Sequence, residues 1–284
     1  MLRETKLLQK VADRVRILQS QRIVVKLGGS AMEDPAATRG MLEAVLMFQT
    51  FGVPVALVHG GGKPIDRAME AAGIVPIKVQ GRRYTDELAL DIVVRVLHDL
   101  RDGLIAQFRS LGGRAVGFDD SPLQGERLRL MGYDLQPIDL GYVGKVTRVE
   151  TALLNGPLEA GLVPVIPSLA RDTDGGWLNI NADDAAAAVA GALKAEACLF
   201  LTDTPGVLRD RRDPASRLAE LSVAEAQELI QVGVIDGGMI PKVQACFDAL
   251  EAGAASAAIL DGRDPQSLPR WLLGEPTGTV VRRM

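Results

Sequence analysis

An α/β fold with a mainly parallel central sheet is what this sequence predicts, and three observations predict it. Short apolar runs rich in branched side chains, such as Ile23-Val24-Val25 and Val53-Pro54-Val55-Ala56-Leu57-Val58, have the composition of buried strands. Stretches with helical periodicity alternate with these runs along the whole chain, as parallel strands joined by helical crossovers require. The length of 284 residues, 47% of them hydrophobic, suits one large domain or two lobes sharing one sheet. No internal repeat or low-complexity linker interrupts the pattern.

Residues 2–19 read as an amphipathic helix, with Leu7, Leu8, Val11, Val15 and Leu18 on one stripe. Such a helix either folds back on its own core or packs on another subunit. A strand over 22–27 leads to a helix over 34–51, with Asp34 placed to cap it and Pro35 at its first position. A strand over 53–59 and a helix over 63–72 follow. Thr85 reads as the N-cap of a long helix that reaches about Ser110 and breaks near Gly103. Residues 114–118 read as a strand, 127–149 as hairpins, 150–160 as a helix and 163–166 as a short buried strand. Asn179 and Asn181 are two apart, so on an extended segment they point the same way. An alanine-rich helix over 183–193 follows, with Asp183 at its start either as a cap or as a functional carboxylate. A strand over 198–202 ends in the acidic turn Asp203-Thr204-Pro205-Gly206. Helices over 222–232 and 239–252 and strands over 257–260 and 278–281 close the chain.

Composition narrows the partners. A net charge of −4 and 4% aromatic residues favour neither nucleic acid nor an anionic membrane. Cys198 and Cys246 sit in apolar contexts without metal-ligand spacing, which fits buried thiols in a reducing cytosol and a cytoplasmic location. Two histidines cannot build a His-rich metal centre. No apolar run reaches membrane-spanning length. The first residues mix Arg3, Lys6 and Lys10 with Glu4 and Asp13 and lack the apolar core of a secretory signal.

Two glycine turns carry the chemistry. His59-Gly60-Gly61-Gly62 lies between a strand and a helix, an arrangement that aims backbone N–H groups and a helix N-terminus at an anion. It lacks the spacing of a P-loop. Leu27-Gly28-Gly29-Ser30 again places glycines after a strand, and Lys26 stands inside that strand, where an ammonium is costly unless it finds a partner or water. Together the turns suggest a phosphate-sized site between two adjacent strands, although a tight turn without a ligand accounts for either run alone. The neighbouring Arg82 and Arg83 suit a bidentate carboxylate clamp or a solvated loop. Gly237-Gly238, with Lys242 nearby, makes a third glycine-and-lysine group that capping alone explains poorly.

Six stretches occur in one order: Lys26-Leu27-Gly28-Gly29, His59-Gly60-Gly61-Gly62, Gly81-Arg82-Arg83-Tyr84-Thr85-Asp86, Asn179-Ile180-Asn181-Ala182-Asp183, Leu201-Thr202-Asp203 and Gly237-Gly238-Met239-Ile240-Pro241-Lys242-Val243. Each is weak alone, but the ordered set resembles the amino acid kinase family over about residues 22–282. The resemblance implies a three-layer αβα sandwich. It divides the chain into an N-terminal helix over 1–21, a lobe over 22–180 for the acyl amino acid and dimerisation, and a lobe over 181–284 for ATP. The implied substrates are ATP, with Mg²⁺, and N-acetyl-L-glutamate, whose side-chain carboxylate would accept the phosphoryl group.

By the same resemblance Lys26 and Lys242 would neutralise the phosphoryl group in flight, and the N–H groups of Gly28, Gly29, Gly60 and Gly61 would cradle it. Asp183 would hold the two lysines. Arg83 would bind the substrate's α-carboxylate and Asn179 its acetamido group. Thr202, Asp203, Gly206 and Gly238 would line the nucleotide side with Lys26, Gly29 and Lys242. No protein ligand to a metal is implied. A kinase for another acid, such as an acetylated or carrier-linked aminoadipate, stays open, as does a non-catalytic sensor of amino acids or nucleotides. The sequence departs from the family at Arg82 and Tyr84, where Leu and Val are usual, and at 118–122, where a glycine-rich stretch is usual. The family implies at least a dimer, formed through the N-terminal lobe, and because an extra N-terminal helix accompanies its hexameric, arginine-inhibited members, residues 2–19 raise the prospect of a hexamer.

Overall fold

The computed structural model describes residues 2–28, 32–131 and 136–283. Gly29 lies outside the described residues, as does the side chain of Leu7. In the first half of the chain the elements are α1 (Leu2–Leu18), β1 (Ile23–Leu27), α2 (Pro35–Thr50), β2 (Val55–His59) and α3 (Gly62–Ala71). Next come β3 (Lys78–Val79), β4 (Arg82–Arg83), α4 (Glu87–Ser110), β5 (Ala115–Val116), β6 (Leu123–Arg127), β7 (Leu130–Met131) and β8 (Pro137–Ile138). They are followed by β9 (Val143–Val149), α5 (Thr151–Glu159), β10 (Val163–Pro167), β11 (Leu169–Arg171), β12 (Trp177–Ile180), α6 (Ala182–Ala192) and β13 (Ala197–Thr202). The chain ends with β14 (Glu220–Ser222), α7 (Val223–Gln231), α8 (Met239–Ala252), β15 (Ala257–Asp261), α9 (Ser267–Leu272) and β16 (Thr279–Arg282).

Eight strands form the central sheet in the order β14-β16-β15-β13-β1-β2-β10-β5. Every neighbouring pair is parallel except β15 with β16. Its two faces sort by period 2. Val24, Ala56, Val58, Ile166, Cys198, Phe200 and Ile259 face one core, which α5, α6 and α8 cover. Ile23, Val25, Val55, Leu57, Leu199, Leu201 and Leu260 face the other, against α2, α4 and α9. Burial on both faces is why these strands read as unbroken apolar runs rather than alternating ones. The result is the three-layer αβα sandwich. A small closed sheet, β11-β12-β9-β6, and the hairpins β3-β4 and β7-β8 stand apart from it.

Lys26 follows Val24 by two residues and so shares its face, the one covered by α6. Helix α6 packs closely on α8 because Gly191 leaves room for it. A Cβ at Gly191 would stand 2.4 Å from Ala252 Cβ and 2.5 Å from its carbonyl oxygen. That close approach sets the separation of two helices whose N-terminal turns carry Asp183 and Lys242.

Several local expectations change. Asp86, not Thr85, caps α4, its side chain accepting from Ala89 N at 2.8 Å. Thr85 stays extended because its backbone is paired with Gly141 and Tyr142. Helix α4 runs unbroken through Gly103, where nothing crowds the backbone. Strand β5 keeps only Ala115–Val116 of the expected 114–118. Asn179 lies in β12 and Asn181 just past its end; both line the same cavity, and Asn181 also caps α6 through Asp183 N and Asp184 N. The capping role open to Asp183 is therefore filled by Asn181. Helix α1 is held at its C-terminal end, where Leu18 is fully buried and Arg14 lies 5.4 Å over the Trp271 ring, while Leu8 remains exposed.

Candidate active site

The C-terminal ends of β1, β2 and β13 converge in the middle of the sheet. In open α/β sheets this edge is where ligands bind, in the crevice where successive connections diverge. Strand β1 ends at Gly28, β2 at the glycine turn opening α3, and β13 at Thr202-Asp203. Both glycine turns approach neighbours too closely for a side chain. A Cβ on Gly28 would lie 2.7 Å from Leu201 O, and one on Gly60 2.9 Å from Ala182 Cβ. His59, behind the second turn, is fully buried, and burial, partly offset by its contact with the Gly60 carbonyl, pushes its pKa down to about 4. It stands neutral behind the anion-facing backbone.

Lys26, nearly buried, reaches Asp183 Oδ1 at 2.8 Å. Its ammonium thereby finds the partner that its strand position demands. Lys242, in the first turn of α8, pairs with Asp203 Oδ1 at 3.2 Å. Burial works to raise the Asp203 pKa, but the Lys242 charge and hydrogen bond outweigh it, and the net shift is downward. Each lysine thus has its own carboxylate, and Asp183 contacts Lys26 rather than both.

Two cavities flank these pairs. One, of 240 Å³, is lined by Lys26, Gly60, Gly61, Arg83, Asn179 and Asp183 among others. Arg83 is anchored there by Asp66 and by the Gly62 carbonyl at 2.9 Å. Asn179 donates to Thr85 Oγ1 at 3.0 Å. The other cavity, of 390 Å³, is lined by Asp203, Gly206, Gly238, Met239, Lys242 and an apolar wall that includes Val207, Leu208 and Ile235. Thr202 is not among its lining residues; its hydroxyl bonds to Thr204 instead. Sequence reasoning missed Asp66, Asp184 and Arg211. Asp66 holds Arg83, Asp184 pairs with Arg82 at 2.8 Å, and Arg211 lines the larger cavity while contacting Asp236. Isolated acids on predicted helices carry no local signal of such roles.

Among the described residues no group of three or more His, Cys, Asp or Glu could hold a metal ion. No helix among the described residues is long and apolar enough to cross a membrane.

A polar cavity with an arginine and a second cavity with an apolar wall flank the glycine turns and paired lysines at the sheet edge. Residues 21–261 match the family model described as the amino acid kinase family, and the chain belongs to that family. Among its relatives, it is 37% identical over 277 residues to "Acetylglutamate kinase" of Actinobacillus pleuropneumoniae serotype 3 (strain JL03), covering 97% of this chain and 95% of that one. It is 36% identical over 263 residues to "Acetylglutamate kinase" of Brachyspira hyodysenteriae (strain ATCC 49526 / WA1), covering 92% and 90%. A solved structure of N-acetylglutamate synthase from Neisseria gonorrhoeae, complexed with coenzyme A and N-acetyl-glutamate, shares the fold with a TM-score of 0.85 at 24% identity. That match covers 99% of this chain, which spans 63% of the synthase chain.

Proposed function

We propose that this protein transfers the γ-phosphoryl group of ATP to the side-chain carboxylate of N-acetyl-L-glutamate, yielding N-acetylglutamyl 5-phosphate and ADP, a step of arginine biosynthesis. The observation that carries this reading is the pair of lysine–carboxylate contacts, Lys26–Asp183 and Lys242–Asp203, each lining one of the two cavities. The extent of identity to acetylglutamate kinases supports the choice of acceptor.

The acceptor carboxylate has a pKa near 4 and is ionised at neutral pH, so it attacks phosphorus without a general base. The absence of a histidine poised for proton transfer is consistent with this. Both reactants are anions, and their repulsion is the main obstacle. Lys26, Lys242 and the N–H groups of Gly28, Gly60 and Gly61 answer it by stabilising charge that develops in transit. Gly29 belongs to the same proposal. Bound Mg²⁺ would neutralise the polyphosphate and polarise its oxygens. Arg83 takes the α-carboxylate, for which a guanidinium offers two parallel donors. Asn179 takes the acetamido group. On the nucleotide side, the wall around Gly206 and Gly238 receives the base and ribose, with Asp203 positioning Lys242 and Thr202 supporting the turn. Residues 22–180 would then serve chiefly the acyl amino acid and 181–284 the nucleotide.

We infer a cytoplasmic homo-oligomer. Cys198 and Cys246 are buried free thiols, as a reducing compartment allows. Among the described contacts, helix α1 is fixed to its own subunit near Arg14 and Leu18, and its exposed Leu8 supports contact with a second copy, which makes a hexamer built through residues 2–19 the larger assembly to look for. The decisive experiment for the activity is an ATP-dependent hydroxamate assay with N-acetyl-L-glutamate, run beside N-acetyl-aminoadipate. A clear preference for the longer acid would overturn the substrate assignment.

A further inference from the structure

The hairpin β3–β4 is a small element with a large task. It has two residues per strand, in the register Lys78 with Arg83 and Val79 with Arg82, and it pairs with no other strand. Its turn, Gln80-Gly81, holds both residues at positive φ, 49° and 77°, the geometry of a two-residue hairpin loop in which glycine is favoured. The segment leading into it is exposed, with Val75 at 76% and Ile77 at 54% of full exposure. An isolated hairpin of this size is not stable in water by its own pairing. Something outside the hairpin must hold it.

Several contacts do so: Lys78 Nζ lies 3.9 Å from Asp66 Oδ2, the backbone of Thr85, just after β4, pairs with Gly141 and Tyr142, and two arginines reach neighbouring helices. Arg83 reaches α3 through Asp66 and the Gly62 carbonyl. Arg82 reaches the first turn of α6, where its Nη1 lies 2.8 Å from Asp184 Oδ2, and both side chains are about three-quarters buried, at 24% and 28% exposure. Helix α3 lines the smaller cavity through Gly62 and Ile65, and helix α6 lines it through Ala182 and Asp183. The hairpin lines the same cavity through Lys78, Gly81, Arg82 and Arg83 and is therefore fastened to two of the helices that line it. The α6 fastening has a counterpart in the charge balance. Burial pushes the Asp184 pKa up, Arg82 pulls it back, and Asp248 and Asp183 push it further up. Without Arg82, an unpaired carboxylate would stand one residue from the partner of Lys26.

We propose that the Arg82–Asp184 ion pair is a latch that holds the β3–β4 hairpin at the acyl-amino-acid cavity, making Arg82 and Asp184 positioning residues for the carboxylate-binding Arg83. The substrate named here rests on the function proposed above. The latch itself rests on the geometry.

Steady-state kinetics on Arg82→Met, Asp184→Asn, the double variant and Arg82→Lys test it. Each of the first two should raise the KM for N-acetyl-L-glutamate about tenfold, as loss of a partly buried ion pair allows. The double variant should be no worse than either, because both remove one interaction. Arg82→Lys, which keeps the charge, should recover most of the loss. The KM for ATP and kcat should stay within about threefold, whereas general structural damage would move all three. An unchanged acetylglutamate KM in both single variants, multiplicative effects in the double, or a lysine variant as poor as the methionine one would overturn the latch. If Arg82→Met does not fold, the nearly isosteric Asp184→Asn decides alone. Hydrogen exchange over residues 78–84 separates the two proposals. Asp184→Asn should speed exchange there whatever the substrate is, and unchanged exchange overturns the latch. Absence of phosphoryl transfer by the parent protein overturns the function instead.

Discussion

Lys26 Nζ lies 2.8 Å from Asp183 Oδ1, joining the central strand of the sheet to the first turn of α6. The contact follows from the strand's period, which turns residue 26 toward the helix layer that covers Val24. An ammonium in that position needs a counter-charge, and a helix N-terminal turn brings a carboxylate to it. Removing one partner of such a buried pair is costly because the other is left behind. Asp183→Asn should therefore leave Lys26 misplaced and lower kcat on the order of 10²-fold, with an accompanying drop in melting temperature. Kinetics and thermal denaturation on the same sample check both parts, and a variant with parental kcat would show that Lys26 needs no carboxylate to act.

Lys242→Met should lower kcat far more than it raises either KM. Its partner Asp203 already balances its charge at rest, so its net effect is felt when the moving phosphoryl group carries charge toward it. The expected loss is on the order of 10²-fold, by comparison with deleting one oxyanion donor. Near-normal kcat with a raised ATP KM would make Lys242 a ground-state nucleotide contact.

Arg83→Lys should act on the acetylglutamate KM. The guanidinium is held by Asp66 and the Gly62 carbonyl, and a lysine cannot both keep those bonds and offer two parallel donors to a carboxylate. A rise of about tenfold or more is expected, with ATP affinity unchanged. Loss of ATP affinity alone would put Arg83 on the other substrate.

His59 predicts a pH dependence of stability. Burial lowers its folded-state pKa from 6.5 to about 4, so the unfolded chain binds the proton more readily. Stability that is present above pH 6.5 is lost as pH falls toward 4, to a total of about 3 kcal/mol at 1.36 kcal/mol per unit. Thermal melts of the parent and His59→Gln between about pH 7 and pH 4 should show the parent losing stability relative to the variant as pH falls. Parallel curves would mean that His59 is not held neutral by the fold.

Deleting residues 1–12 should keep catalysis, since every proposed site residue lies far beyond that segment and Leu18 and Arg14 remain to seal the core against Trp271. The same deletion should reduce the assembly to a dimer. Light scattering on both proteins measures this; a full-length protein already dimeric would show that α1 joins no second dimer.

Much of this was readable from residues close together in the chain. A buried strand announces itself by an unbroken branched run, and Ile23–Leu27 was legible because both of its faces are covered. Lys26 stood out as a charge inside that run, and the glycine turns after β1 and β2 marked where backbone approaches its neighbours too closely for a side chain. The order of the six motifs carried the family. Less legible was anything decided by competition between neighbours. Thr85 and Asp86 are both able caps, and the backbone pairing of Thr85 with Gly141 leaves the task to Asp86. Asn181 and Asp183 are both able caps for α6, and Asn181 takes the task.

What the linear pattern settles is therefore the layering and the turns, because periodicity, branching and glycine act within a few positions. What only the folded chain decides is which charges meet. Asp203 takes Lys242 across 39 residues, and Asp184 takes Arg82 across 102. Nothing in the local sequence of an acid in the first turn of a helix says which cation it will face. That is set by the close packing of α6 on α8 at Gly191 and by the hairpin that lines the cavity. The roles of Asp66 and Asp184 exist only in three dimensions, since an ion pair depends on distance in space and on burial, and neither is written in the spacing along the chain.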